Sequence, residues 1–417
     1  MNNDIIIDHI GANGIGCAKT PQGLVYVPFT LPGEIVEVVS HETEKIRTTL
    51  KKRSLERIDV LCQHFERCGG CMLQHWHADA YRSWKRQLVV DMLKQRGLNV
   101  TVSPLIECET HSRRRITVTV SKTKEGCIIG FNRYLSHDVV VIEECPVTRS
   151  EIILKLDTIR EICALLSHDT KRFRMMITSV ENGLDVAVSG CIVRNEVIRQ
   201  KIIQIALSSE ITRLSVEGEI FFEQEKPLIS FGDVHVVLPP HGFLQATREA
   251  ENNMGNIILS HLEKAKNAVD LFSGVGTFTL RMAKRMNVHA VENDVASLVN
   301  LEAAVRFASG LKTVTCEKRD LFRRPLSVEE LERFDSVVFD PPRAGAKEQV
   351  NELAKATIPR VVAVSCNPVT FARDVSILVS GGYTIEKVIP IDQFLWSPHV
   401  EIVATLSKRK KKTGWKL

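Results

Sequence analysis

Short apolar runs alternate with helix-length segments through the second half of this 417-residue chain. Four of these runs have the length of a strand: residues 268–272, 288–291, 336–339 and 361–365. This succession is typical of βαβ units, in which helices connect the parallel strands of one sheet. Residues 384–391 and 400–407 have no helix between them and predict an antiparallel finish. The pattern therefore predicts an α/β domain over residues 239–417.

The first half of the chain predicts two further units. Residues 1–58 contain short β-rich pieces separated by turns, which indicate a small β-barrel of the OB type. Residues 59–238 predict an α+β middle domain, since strand patterns and helix patterns are mixed there. Its expected strands and helices lie at residues 77–97, 116–120, 151–166 and 184–188.

Length and composition exclude several classes of protein. At 46.8 kDa the chain is too long for one small binding module, and its 44% hydrophobic residues supply substantial cores. No apolar run reaches the roughly 18–20 residues of a membrane-spanning helix, and Met1–Asp4 lacks the basic start of a signal peptide. We therefore expect a cytoplasmic protein without a membrane partner. We also expect it to be a monomer.

The net charge is only +5, but basic residues fall into three acid-free runs. The runs consist of Lys45, Arg47, Lys51, Lys52 and Arg53, then Arg113, Arg114 and Arg115, then Lys408, Arg409, Lys410, Lys411 and Lys412. Such runs fit a polyanion, so nucleic acid is the expected partner. The alternative, solvated surfaces and a tail that aids solubility, stays open.

A glycine-rich turn follows the first strand of the α/β domain. Asp270 precedes Gly274 and Gly276, which let the backbone turn tightly and approach a ligand. Glu292, at the end of the next strand, can accept hydrogen bonds from ribose hydroxyls, so the pattern predicts a nucleoside site. Thr279 replaces the third glycine of the dinucleotide fingerprint, which disfavours NAD and FAD. S-adenosyl-L-methionine, which has no pyrophosphate, is the expected cofactor.

Residues at later strand ends predict the chemistry. Asp340, in the sequence Phe-Asp-Pro-Pro-Arg, faces the ligand edge of the sheet, and Cys366 follows the next strand. The helix expected after Cys366 favours its thiolate, although a buried, inert thiol is the alternative. A thiolate beside S-adenosylmethionine suggests methylation of pyrimidine C5, because sulfur addition at C6 makes C5 nucleophilic. Glu401 is the candidate for removing the C5 proton, and His399 is the alternative.

Eleven cysteines in such a chain are expected to be reduced thiols. Four of them, Cys62, Cys68, Cys71 and Cys145, form a pattern that can bind a metal. Four thiolates suit either zinc or an iron–sulfur cluster, and the spacing does not decide between them. Apart from Cys366, the other six are expected in the core.

Together these motifs resemble the RNA uracil-C5 methyltransferases, which make 5-methyluridine in ribosomal and transfer RNA. The matching segments, in the family's order, are residues 242–245, 270–280, 339–343, 365–368 and 399–401. The resemblance implies a class I Rossmann-like methyltransferase domain, with Cys366 as the nucleophile and Glu401 as the proton acceptor. The expected cofactor contacts are Gln245, Phe272, Gly274, Gly276, Glu292 and Asp340, with Asp320 near the adenine.

The resemblance also covers the first half of the chain. Residues 1–58 are similar to the family's TRAM domain, which implies RNA binding. In the ribosomal RNA branch the four-cysteine arrangement holds a 4Fe-4S cluster, which implies iron and sulfur here and favours 23S ribosomal RNA over transfer RNA. Residues 113–115 and 394–398 depart from the family's usual pattern, which affects the expected RNA contacts and target site rather than the chemistry.

Two other functions are weighed against this one. A cytosine-C5 enzyme is disfavoured because its usual nucleophile follows a proline, and Asp340-Pro341-Pro342 contains no cysteine. A noncatalytic RNA-binding iron–sulfur assembly factor is disfavoured because Cys366 and Glu401 are both present.

Overall fold

The computed structural model describes residues 4–40, 47–167 and 170–408. Six short strands come first: β1 (Asp4–Ile6), β2 (His9–Ile10), β3 (Gly16–Thr20), β4 (Gly23–Val27), β5 (Ile35–Ser40) and β6 (Arg47–Lys52). They form two antiparallel sheets of three strands, in the orders β1-β5-β6 and β2-β3-β4. Ile7, Ala18, Val27 and Val36 pack into one small core shared by both sheets, which fits the predicted barrel.

The middle of the chain begins with α1 and continues into a seven-stranded sheet. The elements are α1 (Ala78–Lys94), β7 (Arg115–Thr123), β8 (Gly126–Asn132), β9 (Val139–Val141), α2 (Ser150–Leu154), α3 (Leu156–Leu166), β10 (Arg172–Val180), β11 (Gly183–Ser189), α4 (Glu196–Leu207), β12 (Ile211–Val216) and β13 (Glu219–Glu223). The strand order is β13-β12-β11-β10-β7-β8-β9, and α3 and α4 pack on this sheet.

The prediction of a single helix over residues 151–166 is wrong, because this segment forms two helices, α2 and α3. Lys155 separates α2 from α3, with backbone angles of φ −98° and ψ 6° that leave the α-helical range. Its N–H bonds to the carbonyl of Ile152, three residues earlier, so the chain makes a tighter turn there.

The C-terminal half follows the predicted alternation of strands and helices. Its elements are β14 (Leu228–Phe231), β15 (Val234–Val237), α5 (Arg248–His261), β16 (Asn267–Leu271), α6 (Thr279–Ala283), β17 (Asn287–Glu292), α7 (Val295–Phe307), β18 (Val314–Lys318), α8 (Val328–Leu331), β19 (Ser336–Phe339), α9 (Lys347–Lys355), β20 (Arg360–Ser365), α10 (Pro368–Ser380), β21 (Thr384–Ile391) and β22 (Glu401–Ser407).

Seven of these strands form the C-terminal sheet, in the order β18-β17-β16-β19-β20-β22-β21. β16 to β20 pair in parallel, whereas β22 runs antiparallel to both of its neighbours. The predicted α/β fold with an antiparallel finish is confirmed. Within the described ranges, no helix is both long and apolar enough to cross a membrane.

Two earlier segments pack on the C-terminal domain. In the β14–β15 hairpin, Phe231 and Val236 lie in one apolar cluster with Leu280 and Leu301. From α1, Val89 and Leu93 join the main apolar cluster of the C-terminal sheet. The hydrophobic core of the C-terminal domain therefore includes residues that precede residue 239. The predicted domain limits stay predictions.

A buried ion pair ties α1 to the loop that precedes β22. The Lys85 ammonium contacts the Asp392 carboxylate, with side chains 0% and 3% exposed, and the Tyr81 hydroxyl donates to Asp392 at 2.8 Å. Lys85 also donates to the carbonyl of Phe394 at 2.9 Å. Because both charges are compensated, the pair is tolerated in the core and fixes where the loop lies.

We expect Asp392→Ala to lower the free energy of unfolding by about 3–5 kcal/mol, because it leaves the Lys85 charge buried without its partner. Urea unfolding measures the change. Lys355→Met, which removes an exposed partner of Glu352, is the matched control and should stay within about 0.5 kcal/mol of the parent. A loss below about 1 kcal/mol for Asp392→Ala would contradict the role given to the pair.

Candidate active site

The carboxyl ends of the parallel strands meet along one edge of the C-terminal sheet. The residues predicted from the sequence to form the site lie at or just beyond these strand ends: Phe272 after β16, Glu292 at the end of β17, Asp320 after β18, Asp340 after β19 and Cys366 after β20. Open α/β sheets bind their ligands at this edge. The structure thus brings the five residues to one side of the sheet.

Glu401 reaches the same edge for a different reason. β22 runs antiparallel to β20, so its first residue lies where the parallel strands end. The register pairs Ser365 with Ile402 and Ile391 with Glu401. The Glu401 side chain is therefore close enough to Cys366 for its charge to act on the thiol.

Asp270 is a buried acid at the end of β16, 1% exposed. Its Oδ2 accepts a hydrogen bond from the Thr279 hydroxyl at 2.6 Å, whereas its Oδ1 has no partner among the described residues. Burial, together with the charges of the nearby Asp340 and Glu292, raises the pKa of Asp270 to about 7. An acid with an unbonded oxygen beside two further acids fits a ligand that brings positive charge.

The turn after β16 has the shape expected of a nucleoside site. Phe272, Gly274 and Gly276 adopt positive φ angles of 62°, 55° and 94°. The positive φ of Gly276 favours glycine, and a Cβ there would also lie 2.5 Å from the end of the Leu301 side chain, while Gly274 faces open space. Oε2 of Glu292 accepts from the Gly274 N–H at 2.9 Å and fixes this turn.

Glu292 and Asp320, both predicted to face the nucleoside, also bond to the backbone. The second oxygen of Glu292 accepts from the N–H groups of Asn293 and Asp294 at 2.6 and 2.9 Å. Asp320 accepts from the N–H of Phe322 at 3.0 Å. These bonds hold both carboxyl groups at the edge of the site.

A chain of buried amides joins Asp340 to Glu401. Gln245 donates to Oδ2 of Asp340 at 2.7 Å and accepts from Gln393 at 2.9 Å. Gln393 also donates to Oε2 of Glu401. Gln393 was missed by the sequence interpretation. Its only signal is a polar side chain just after β21, at the ligand edge of the sheet.

The prediction that a helix start favours the Cys366 thiolate is wrong for this geometry. Burial, together with the charges of Glu401 and Asp340, raises the pKa of Cys366 to about 11, while Arg343 acts in the opposite direction. The side chain of Asn367 accepts from the N–H of Val369 and so caps α10 itself. The half-buried thiol therefore gains little from the helix end.

The two candidate bases differ in their environments. Burial raises the pKa of Glu401 well above its usual range, with a further increase from Asp340, and its Oε1 has no partner among the described residues. Burial, together with the charge of Arg343, which contacts the ring at 2.8 Å, lowers the pKa of His399 to about 4. Glu401 is therefore a stronger base than an ordinary glutamate, whereas His399 is a weaker base than an ordinary histidine.

The four cysteines predicted to bind a metal line one cavity of about 390 Å³. Burial raises the pKa of Cys68 to about 11 and that of Cys71 to about 12. Among the residues that the structure describes, no three His, Cys, Asp or Glu side chains converge as ligands of one ion. Cys62 and Cys145 complete the set of four thiols that line this cavity.

The same cavity borders the loop before β22, since Phe394, Ser397 and His399 also line it. The N–H groups of Met72 and Leu73, next to Cys71, donate to the carbonyl of Trp396 at 2.8 and 3.1 Å. The cysteine segment is thus bonded directly to the loop that leads to Glu401.

Of the six remaining cysteines, four are buried as expected: Cys17, Cys108, Cys163 and Cys191. Cys127 and Cys316 are half-buried and pack against apolar clusters.

The run Arg113–Arg115 does not form the exposed surface for binding a polyanion that the sequence suggested. Arg114 is 2% exposed, forms an ion pair with Glu251 and donates to the carbonyl of Gln245 at 3.1 Å. Arg113 and Arg115 lie over the rings of Phe394 and Phe243. These arginines therefore connect the middle domain to the segments that form the site.

The other two basic runs are described only in part. Lys51 is paired with Asp4 and Glu37 at 2.9 and 3.3 Å. Lys408 donates to the carbonyls of Ala354 and Ala356. Lys45 and residues 409–412 lie outside the described residues.

Known proteins that resemble this chain are RNA methyltransferases. A family model described as tRNA (Uracil-5-)-methyltransferase matches residues 203–409. An uncharacterized RNA methyltransferase of Brucella suis is 53% identical over 98% of both chains. The 23S rRNA (uracil(1939)-C(5))-methyltransferase RlmD of Aeromonas hydrophila is 27% identical over 97% of this chain and 96% of that one.

A solved structure also matches nearly the whole chain. It is the Pyrococcus abyssi tRNA (uracil-54, C5)-methyltransferase in complex with S-adenosyl-L-homocysteine, with a TM-score of 0.77 and 25% identity. The match covers 97% of this chain and 99% of that one.

We expect Asp270→Asn to remove part of the pH dependence of stability. The folded-state pKa of Asp270, about 7, lies above its ordinary value, so its contribution is present at pH 4 and lost as the pH rises through 7. From pH 4.5 to 8 the wild-type protein should lose about 2–4 kcal/mol relative to the variant.

Thermal unfolding across this pH range measures the difference. Asp335→Asn, at the other end of the same sheet, is the matched control for the loss of one carboxylate. Parallel curves for the wild type and Asp270→Asn would contradict the burial argument.

Proposed function

The chain belongs to the family of RNA uracil-C5 methyltransferases, and we propose that it methylates C5 of a uridine in 23S ribosomal RNA by covalent catalysis. The observation that carries this proposal is the convergence of a thiol, Cys366, and a buried acid of raised pKa, Glu401, at the ligand edge of one sheet. Asp340 and Gln245 line the same place.

Cys366 is the proposed nucleophile. Its sulfur adds to C6 of the uracil and makes an enolate, so that C5 becomes nucleophilic. When bound, S-adenosylmethionine supplies the methyl group that C5 takes and carries a positive sulfonium. Because the thiol of Cys366 faces Glu401 and Asp340, positive charge near these acids lowers the cost of forming the thiolate.

Glu401 is the proposed base for the last step. Removing the C5 proton lets the C6–S bond break and releases 5-methyluridine. Burial raises the pKa of Glu401, so its carboxylate is a stronger base than an exposed one. His399 is disfavoured because its pKa is lowered to about 4 and Arg343 holds its ring.

Asp270, Glu292 and the turn at Gly274–Gly276 would hold S-adenosylmethionine, as the unbonded oxygen of Asp270 and the open space at Gly274 suggest. The target uridine must leave its stack to reach Cys366, as for other enzymes that act on a base. We expect the protein to act on RNA in the cytoplasm, as a monomer.

We propose that the four cysteines hold a 4Fe-4S cluster rather than zinc, as the resemblance of their pattern to that of the family's ribosomal RNA branch implies. A structural zinc ion needs four ligands about 2.0–2.3 Å from one point. In a four-iron cluster each thiolate binds a different iron, and Cys62, Cys68, Cys71 and Cys145 all line one cavity. Such a cluster would hold the cysteine segment together, and it favours ribosomal over transfer RNA as substrate.

We expect Cys366→Ala to reduce 5-methyluridine formation by roughly 10³-fold or more, because addition at C6 is lost. Glu401→Gln keeps the size of the side chain but cannot accept the C5 proton. It should accumulate a methylated protein–RNA adduct that survives a denaturing gel.

Transfer of labelled methyl groups to RNA from cells that lack the protein measures both effects. Cys316→Ala, which changes a half-buried thiol in β18, is the matched control and should keep full activity. An active Cys366→Ala protein, or Glu401→Gln that turns over without an adduct, would contradict the assigned roles.

Protein purified without oxygen should contain about four irons and four sulfides per chain. We expect Cys71→Ser and Cys145→Ser to lose this iron, because each removes one thiolate ligand. Elemental analysis and visible absorption measure it, with Cys127→Ser in β8 as the control that retains iron. One zinc per chain, lost in the same two variants, would exclude the cluster.

A further inference from the structure

Gln393 lies at the centre of the buried chain that joins Asp340 to Glu401. Its side chain is 2% exposed, and all of its polar atoms are bonded. The amide nitrogen donates to Glu401 and to Gln245, and the amide oxygen accepts from the N–H of Ala246 at 3.0 Å. The Gln393 side chain is therefore held in place by hydrogen bonds from both ends of its amide group.

The direction of every bond in the chain follows from one backbone group. A backbone N–H can only donate, so the oxygen of Gln393 must face Ala246 and its nitrogen must face Glu401 and Gln245. The oxygen of Gln245 then faces Gln393, and its nitrogen faces Asp340. Both carboxyl groups thus receive an N–H donor.

The bond to Gln393 distinguishes the two oxygens of Glu401. Oε2 accepts from the amide, whereas Oε1 is buried and has no partner among the described residues. A carboxylate held through one oxygen has a restricted plane, which leaves the other oxygen with a defined direction. The start of β22 limits the backbone at the same point.

We propose that Gln393 is a positioning residue, which holds Glu401 so that its Oε1 takes the C5 proton of the methylated uracil. The inference rests on the proposed function, since it needs Glu401 as the base. In this step the C5–H bond breaks and its electrons form the C5–C6 double bond. The C6–S bond breaks, sulfur leaves as the Cys366 thiolate, and the proton moves to Glu401.

Two variants separate hydrogen bonding from packing. Gln393→Leu removes the donor and the acceptor. Gln393→Glu keeps the size and can still accept from Ala246, but it places another carboxyl group against Glu401 in place of the N–H donor. Gln349→Leu is the matched control, because Gln349 is a buried glutamine of the same domain that bonds to the backbone of Leu326, away from the site.

The substrate is total RNA from cells that lack the protein, grown with ordinary or C5-deuterated uridine. For both Gln393 variants we expect kcat to fall about 10- to 100-fold, because a misplaced base slows proton removal. The KM for RNA should stay within about threefold, because Gln393 is 2% exposed and so offers almost no surface to RNA. Deuterium should slow the variants more than the wild type, and the covalent adduct should accumulate.

Several outcomes would overturn the proposal. These are an unchanged kcat in Gln393→Leu, a lower kcat without a larger isotope effect or more adduct, or a Gln393→Glu protein as active as the wild type. The last two would indicate a packing role, as would equal effects in Gln349→Leu. A wild-type protein that makes no 5-methyluridine would instead overturn the proposed function, and this inference with it.

Discussion

The antiparallel insertion of β22 between β20 and β21 is the constraint on which the site depends. In a purely parallel sheet the edge that collects Asp340 and Cys366 receives only residues that follow strands. Because β22 runs the other way, its first residue lies at this edge, and Glu401 stands beside Cys366. The loop before β22 must then be held in place. The buried Lys85–Asp392 pair and the bonds from Met72 and Leu73 to Trp396 hold it from two directions.

The second physical theme is the cost of buried acids. Asp270, Asp340 and Glu401 all have pKa values raised by burial. The charge of Asp340 raises the pKa values of Asp270 and Glu401 as well, and Asp340 and Glu401 both raise that of Cys366. Such an arrangement opposes the folded state as the pH rises, and hydrogen bonds from Gln245 and Gln393 offset only part of the cost. A site of this kind suits a positively charged cofactor and a reaction in which a proton must be accepted. The features that lower stability are therefore the ones that the proposed chemistry uses.

The sequence predicted the parts of this account that depend on local pattern. Apolar periodicity located the strands, and the glycines after Asp270 indicated the turn at which Gly274 and Gly276 take positive φ. Contacts between distant segments were not predictable in this way. Arg114 looked like part of a basic surface but pairs with Glu251, and Gln393 carried no motif. The thiolate prediction for Cys366 failed because it considered only the helix end and not the acids brought in by other strands.

The most direct test of the central claim is mass mapping of 5-methyluridine in ribosomal and transfer RNA from cells with and without this protein. Complementation with the wild type or with Cys366→Ala separates catalysis from the presence of the protein. The account predicts that one methylated uridine in 23S ribosomal RNA is lost in cells that lack the protein. Complementation with the wild type should restore it, and complementation with Cys366→Ala should not. A lost methyl group in transfer RNA would contradict the substrate assignment. An unchanged map, or restoration by Cys366→Ala, would contradict the proposed chemistry.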